Sequence, residues 1–156
     1  MRSLEGFTLV ELMVTVAVLA ILATIAAPSL SNTLKDTKVN TSSSDVLNFL
    51  QQSRTEAIRL GHPVTVCAST DGSSCVTTNK NNWAVGLIAK SGSTIVQKFV
   101  FDNASLTVTA PDSITFNTVG STNNNYTITV GMSGASTNYS VCVEVIGRAS
   151  KSKTGC

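Results

Sequence analysis

Residues 7–27 read FTLVELMVTVAVLAILATIAA, an apolar run of 21 residues broken by one charge, Glu11. At about 1.5 Å per residue this run forms a helix about 31 Å long, enough to cross the hydrocarbon core of a bilayer. It therefore predicts a membrane-spanning helix preceded by the short segment MRSLEG. A cleavable secretory signal is the competing reading, because Ala26, Ala27 and Ser29 place small residues after the apolar run. Glu11 separates the two. A carboxylate deep in a membrane costs about 2.5–3.5 kcal/mol and has to be paired or functional. Arg2 is the nearest cation in the chain, and a cut after Gly6 would create a better one, the α-ammonium of Phe7. Arg2 ahead of the span points to a cytoplasmic N-terminus, which puts everything beyond Pro28 in the periplasm.

The remainder of the chain has room for one head domain of about a hundred residues. Charged residues make up 13% of the 156, against about 25% in ordinary soluble domains, so polarity rests on Ser, Thr and Asn. This suits an exported, β-rich protein. A net charge of +2 gives no argument for nucleic acid by itself, since phosphate binding depends on clustered cations. Four cysteines, an even number in an exported chain, point to two disulfides and an oxidising compartment. A metal site is the weaker alternative, because Cys67, Cys75, Cys142 and Cys156 show no Cys-x-x-Cys spacing and His62 is the one histidine. With no paired carboxylates and no phosphate-binding glycine loop, neither an enzyme nor a cofactor is expected.

Polar residues fill 29–44, and Ser44 and Asp45 then open an amphipathic helix that places Leu47, Leu50, Ala57 and Ile58 on one face. Gly61 and Pro63 end it. Beyond Gly61 the apolar period changes from helical to two. Strands are expected at 64–68, 83–89, 94–101, 106–110, 113–119, 126–132 and 139–146, separated by turn-forming pieces such as STNNN and SGASTN. The fold class is α+β: a long N-terminal helix packed on a small antiparallel head of six or seven strands, in one sheet or two.

Four cysteines allow three pairings. In its strand Cys67 points away from Val64 and Val66 and can reach Cys75 across the DGSS turn. Cys142 lies opposite Val141, Val143 and Val145 and is free to clasp Cys156. The expected pairs are Cys67–Cys75 and Cys142–Cys156. The second would close IGRASKSKTGC into a loop holding Arg148, Lys151 and Lys153 with no acid, an arrangement able to meet successive phosphates.

Gly6-Phe7-Thr8-Leu9-Val10-Glu11 resembles the class III signal of type IV prepilins and type II secretion pseudopilins. The resemblance implies cleavage after Gly6 by a prepilin peptidase, N-methylation of Phe7, and pairing of Glu11 with a neighbour's Phe7 ammonium in a filament. It also gives Pro28 the place of a helix-bending proline in the filament core. Within the head, Cys67-Ala-Ser-Thr-Asp71-Gly72-Ser-Ser-Cys75, Trp83-Ala-Val-Gly86 and Gly147-Arg148 resemble the GspH/FimT/FimU group of minor pilins and pseudopilins. The implied organisation is a leader at 1–6, a transmembrane and filament-core helix at 7–28, a periplasmic part of the helix at 29–61, and a β-rich periplasmic head at 62–156. The implied function is a minor pilin that enters or primes a type IV pilus, with other pilins and the inner membrane as partners. FimT-like members add DNA uptake in natural transformation through a C-terminal Gly-Arg-x-Arg motif. This chain keeps Gly147 and Arg148 but has Ser150 at the second arginine, followed by Lys151, so double-stranded DNA is a partner by resemblance and with that departure. The alternative is a GspH-like pseudopilin of a type II secretion system that binds no DNA.

Overall fold

A computed structural model describes residues 7–102 and 105–156, without the side chains of 25–29. Gly6 and Arg2 lie outside the described residues. A single helix, α1, runs from Leu9 to Leu60 over 52 residues. It does not restart at Ser44. The Ser43 and Ser44 hydroxyls both donate back to the Asn40 carbonyl, satisfying themselves inside the helix and leaving nothing to cap a new one. Every side chain from Leu9 to Thr24 is exposed. Among the described residues no helix is long and apolar enough to cross a membrane. The span expected at 7–28 runs through 25–29, and what remains, 9–24, falls short of the about 20 residues a crossing needs.

The upper part of α1 is amphipathic. Val39, Ser43, Val46, Leu50, Ser53 and Ala57 are all fully buried, alternating in steps of four and three along one face. Phe49 joins them, whereas Ile58, expected on this face, is 51% exposed. The correction follows from geometry: a stripe through 50, 53 and 57 carries position 58 about 100° away from it. The two buried serines keep the helix close to the sheets, and each meets its own polar need within the helix, Ser53 through the Phe49 carbonyl at 2.8 Å.

Among the described residues eight strands follow: β1 (Val64–Ala68), β2 (Leu87–Ser91), β3 (Thr94–Phe99), β4 (Leu106–Thr109), β5 (Ser113–Phe116), β6 (Tyr126–Met132), β7 (Tyr139–Val143) and β8 (Ala149–Ser152). They form two antiparallel four-stranded sheets, ordered β3-β2-β1-β5 and β4-β6-β7-β8. Helix α1 lies against both, and the core closes between them with Trp83, Phe116, Ile114, Ile128 and Val141 fully buried.

The expected strand at 83–89 divides into a 3-10 turn at Trp83–Val85 and β2, with Gly86 between. The strands expected at 113–119 and 139–146 stop early, at Phe116 and Val143, because Gly120 and Gly147 turn the chain. Val145 consequently leaves the inward alternation and is exposed. β8 lies in the segment expected to be a loop. Its sequence ASKS carries no apolar alternation, and its strand form comes from pairing with β7, Val141 opposite Lys151 and Val143 opposite Ala149.

Candidate functional site

Three places carry the residues singled out by the sequence. At the start of α1, Thr8 is the N-cap and forms a reciprocal capping box with Glu11. The Thr8 N–H and hydroxyl both donate to Glu11 Oε2, at 3.1 and 2.8 Å, and the Glu11 N–H donates to Thr8 Oγ1. The Glu11 carboxylate thus has a local role, in neutralising orphan donors at a helix end. Phe7 beside it is 78% exposed. Position 28 lies inside the continuous helix, with its side chain among those not described.

The second place is the loop closed by the Cys67–Cys75 disulfide. Asp71 Oδ1 accepts from the Ser73 and Ser74 N–H groups and from the Ser69 hydroxyl, and Oδ2 accepts from the Ser74 hydroxyl. The backbone N–H of Ser74, then that of Ser73, then the two hydroxyls hold this carboxyl well below the usual carboxylate range. All of the bonding capacity of Asp71 is turned inward to shape the loop. The conspicuous Asp71-Gly72 of the sequence is therefore an architectural feature.

The third place is the C-terminal edge, where Cys142 is joined to Cys156. Arg148, Lys151 and Lys153 do not form one free loop of cations. Lys151 reaches across to α1, donating to Asn40 Oδ1 at 2.8 Å and Ser44 Oγ at 2.7 Å. Its ammonium also lies 5.1 Å from the Tyr139 ring centroid, and that of Lys153 lies 5.5 Å from the same ring. One turn lower on the same helix face, Asp36 Oδ1 accepts from the Ser136 and Thr137 N–H groups. Positions 36, 40 and 44 recur every four residues, so this polar face of α1 fastens the second sheet. That spacing was legible in the sequence; its partners were not. Arg148 is exposed and follows Gly147, whose φ is +77° and whose Cα stands so close to the Gly120 carbonyl that a Cβ would lie 1.7 Å from its oxygen. Glycine in the Gly147-Arg148 pair is thus a packing requirement. Arg54, which no sequence motif marks, completes the cluster by donating from Nε to the Gly120 carbonyl at 2.9 Å and from a terminal nitrogen to the Ile146 carbonyl. Among the described residues no group of His, Cys, Asp and Glu is arranged to hold a metal.

A helix this long, packed on a disulfide-braced double sheet, coincides with two sequence families. Residues 42–147 match the family described as type II transport protein GspH, and residues 1–27 match the prokaryotic N-terminal methylation motif. The first match covers more than half of the chain. The protein belongs to the GspH family.

No curated protein matches this GspH-family sequence. Two crystal structures of the type IV minor pilin FimU of Pseudomonas aeruginosa strain PAO1 share its fold. One superposes with a TM-score of 0.60 at 17% identity, covering 74% of this chain and 89% of FimU. The other, in a second crystal form, gives 0.56 at 17% identity over 72% and 91% of the two chains. The long helix with antiparallel sheets is thus the FimU architecture, and the GspH match covers α1 from residue 42 through the Gly147 turn.

Proposed function

We propose that this protein is a structural subunit of a filament, a minor pilin or pseudopilin, processed after Gly6 and anchored in the inner membrane by the helix at 7–28 until it assembles. The observation that carries this reading is the continuity between the methylation motif and the head. The motif at 1–27 leads into the same 52-residue helix whose buried stripe supports the GspH domain. An entirely exposed apolar stretch from Leu9 to Leu22 is costly in water and calls for lipid or neighbouring helices. In the proposed assembly Glu11 exchanges its capping bond to Thr8 for the Phe7 ammonium of an adjacent subunit, which sets the axial register. The head acts by contact, with no catalytic step.

Two machines fit this subunit equally well, a type IV pilus and a type II secretion pseudopilus. Processing tests what they share. Gly6→Leu should leave the precursor uncut, whereas the wild-type chain should begin at an N-methylated Phe7 by mass spectrometry. Glu11→Ala should be cut normally yet be depleted from sheared filaments. A Gly6→Leu protein that still begins at Phe7, or full entry of the Glu11→Ala protein, contradicts the reading.

DNA uptake is the finer part of the type IV reading. With Lys151 committed to Asn40 and Ser44, it rests on Arg148 and Lys153. Two phosphate contacts make a weak, salt-sensitive site. Titrating duplex DNA into the detergent-solubilised chain at low salt, beside the Arg148→Ala/Lys153→Ala variant, decides the matter. Binding lost in the variant supports DNA contact at this edge, and absent or unchanged binding removes it.

A further inference from the structure

The apolar character of the stem does not stop at Pro28. Leu30 and Leu34, set in an otherwise polar stretch, are 61% and 57% exposed. Because α1 is continuous here, the face they mark can be followed along the helix at about 100° per residue. Leu30, Leu34, Lys38, Thr41 and Asp45 fall within about 80° of one another around the axis, with Ser42 beside them. Along this face the chemistry changes in a fixed order: two leucines, a cation, hydroxyls and a carboxylate.

Where this face reaches the head it becomes one wall of a groove of about 320 Å³. Lys38, Thr41, Ser42 and Asp45 stand on the helix side, and the chain leaving β3, from Phe99 to Asp102, forms the other wall. Phe99 and Phe101 meet edge to face at 4.9 Å, both partly exposed, and Val100 between them is 69% exposed. Among the described residues no side-chain hydrogen bond or ion pair engages Lys38, Thr41, Ser42, Asp45 or Asp102. The neighbouring face of α1 differs, since Asp36, Asn40 and Ser44 are all spent on the second sheet. The groove thus sets uncommitted groups of both charges beside aromatic rings, the composition of a site for a small polar ligand with an apolar part.

The geometry points to a phospholipid whose headgroup carries a primary ammonium, seated in this groove with its acyl chains along Leu34 and Leu30. Lys38, about 6 Å along the helix from Leu34, meets the phosphate as a point charge. Asp45, about 10 Å further along the same face, and Asp102 across the groove accept two of the ammonium protons, and the Thr41 and Ser42 hydroxyls accept the third. The aromatic rings attract the same cation. A zwitterion matches the mixed charge of the groove, whereas a purely anionic headgroup or a free phosphate would face two carboxylates and one lysine. A trimethylated ammonium has no N–H to offer these acceptors. A lipid also accounts for the order of the groups. In a bilayer leaflet the acyl chains lie deepest, the phosphate next and the ammonium outermost, which is the order of leucine, lysine and aspartate leading away from the proposed span. Lysine just beyond exposed apolar residues is the common arrangement at a membrane surface. The inference rests on the membrane-anchored reading above and adds to it a lipid class and a seat, one that holds the head against the bilayer before assembly.

The test takes the full chain from the membranes of its native host into micelles holding equal amounts of dioleoyl phosphatidylethanolamine and dioleoyl phosphatidylcholine, and reads the retained lipid by native mass spectrometry. The wild-type chain should retain the ethanolamine lipid about tenfold over the choline lipid, the worth of a charged hydrogen bond. Asp45→Asn/Asp102→Asn should bring the two lipids to parity, and Lys38→Met should lower the retention of both. Asp112→Asn, at an exposed carboxylate outside the groove, should change neither. Glycerophosphoethanolamine, the same headgroup without acyl chains, should not displace the lipid at equal concentration. Five results overturn the lipid seat and leave the anchored reading standing: no retained lipid, equal retention of the two, retention indifferent to the double Asn change or to Lys38→Met, an equal loss in Asp112→Asn, or displacement by the chain-free headgroup. A chain that a carbonate wash strips from the native membranes overturns the anchored reading and this inference with it.

Discussion

Gly147→Ala should destabilise the head by about 3 kcal/mol or more, the largest effect expected of any single-methyl change in this protein. Two costs combine. The residue sits at φ +77°, a region that L side chains enter with strain. The added methyl would also lie 1.7 Å from the Gly120 carbonyl oxygen, itself held by Arg54, so the two turns must separate and the Arg54 clamp must open. Gly92→Ala isolates the first cost, because Gly92 has φ +60° with nothing within 4 Å of its Cβ position, and it should lose only about 1–2 kcal/mol. Trp83, the sole tryptophan and fully buried, reports unfolding of the full chain in detergent by fluorescence as denaturant is added. Equal midpoints for the two variants would mean that the turns are not in contact.

Removing the Cys142–Cys156 bridge, as Cys142→Ser/Cys156→Ser, should cost about 3 kcal/mol, the loop-closure figure for some fifteen residues. The bridge spans 14 positions and holds the end of β8 against β7. Lys151→Met should cost about 1–2 kcal/mol, since it leaves Asn40 Oδ1 without its cation and Tyr139 without its Lys151 contact. The two changes act on one strand and should not add. Once the bridge is gone β8 can fray, and Lys151→Met should then cost less than in the bridged protein. The same denaturation measured on the single, double and triple variants gives this coupling directly. Strict additivity would show that β8 is held by its ladder with β7 alone.

Part of the chain's organisation was legible in the sequence: the methylation-motif match spans residues 1–27, and both expected disulfides form. The combination of Gly6, Phe7 and Glu11 ahead of an apolar run has few physical explanations, because a lone acid in hydrocarbon demands a partner. The disulfide pairs followed from strand alternation, which puts Cys67 and Cys142 on the faces opposite their valine neighbours. The basic C-terminus was only partly legible, for an equally physical reason. Counting cations in IGRASKSKTGC says nothing of what each faces, and Lys151 faces Asn40 and Ser44, more than a hundred residues earlier in the chain.

What the sequence alone determined is whatever depends on short-range chemistry: the apolar run and its acid, the helical stripe through Leu50 and Ala57, the two-residue period of β1, β6 and β7, and the turns at glycines. Tertiary structure decided what depends on residues distant in the chain. Ser44 continues a helix because its hydroxyl finds Asn40. ASKS becomes a strand because β7 and a disulfide hold it. The turns at Gly120 and Gly147 meet because Arg54 donates to the Gly120 and Ile146 carbonyls. Each of these hydrogen bonds or contacts spends or directs a polar group whose partner the local pattern leaves open, and that choice is made only when the chain has closed on itself.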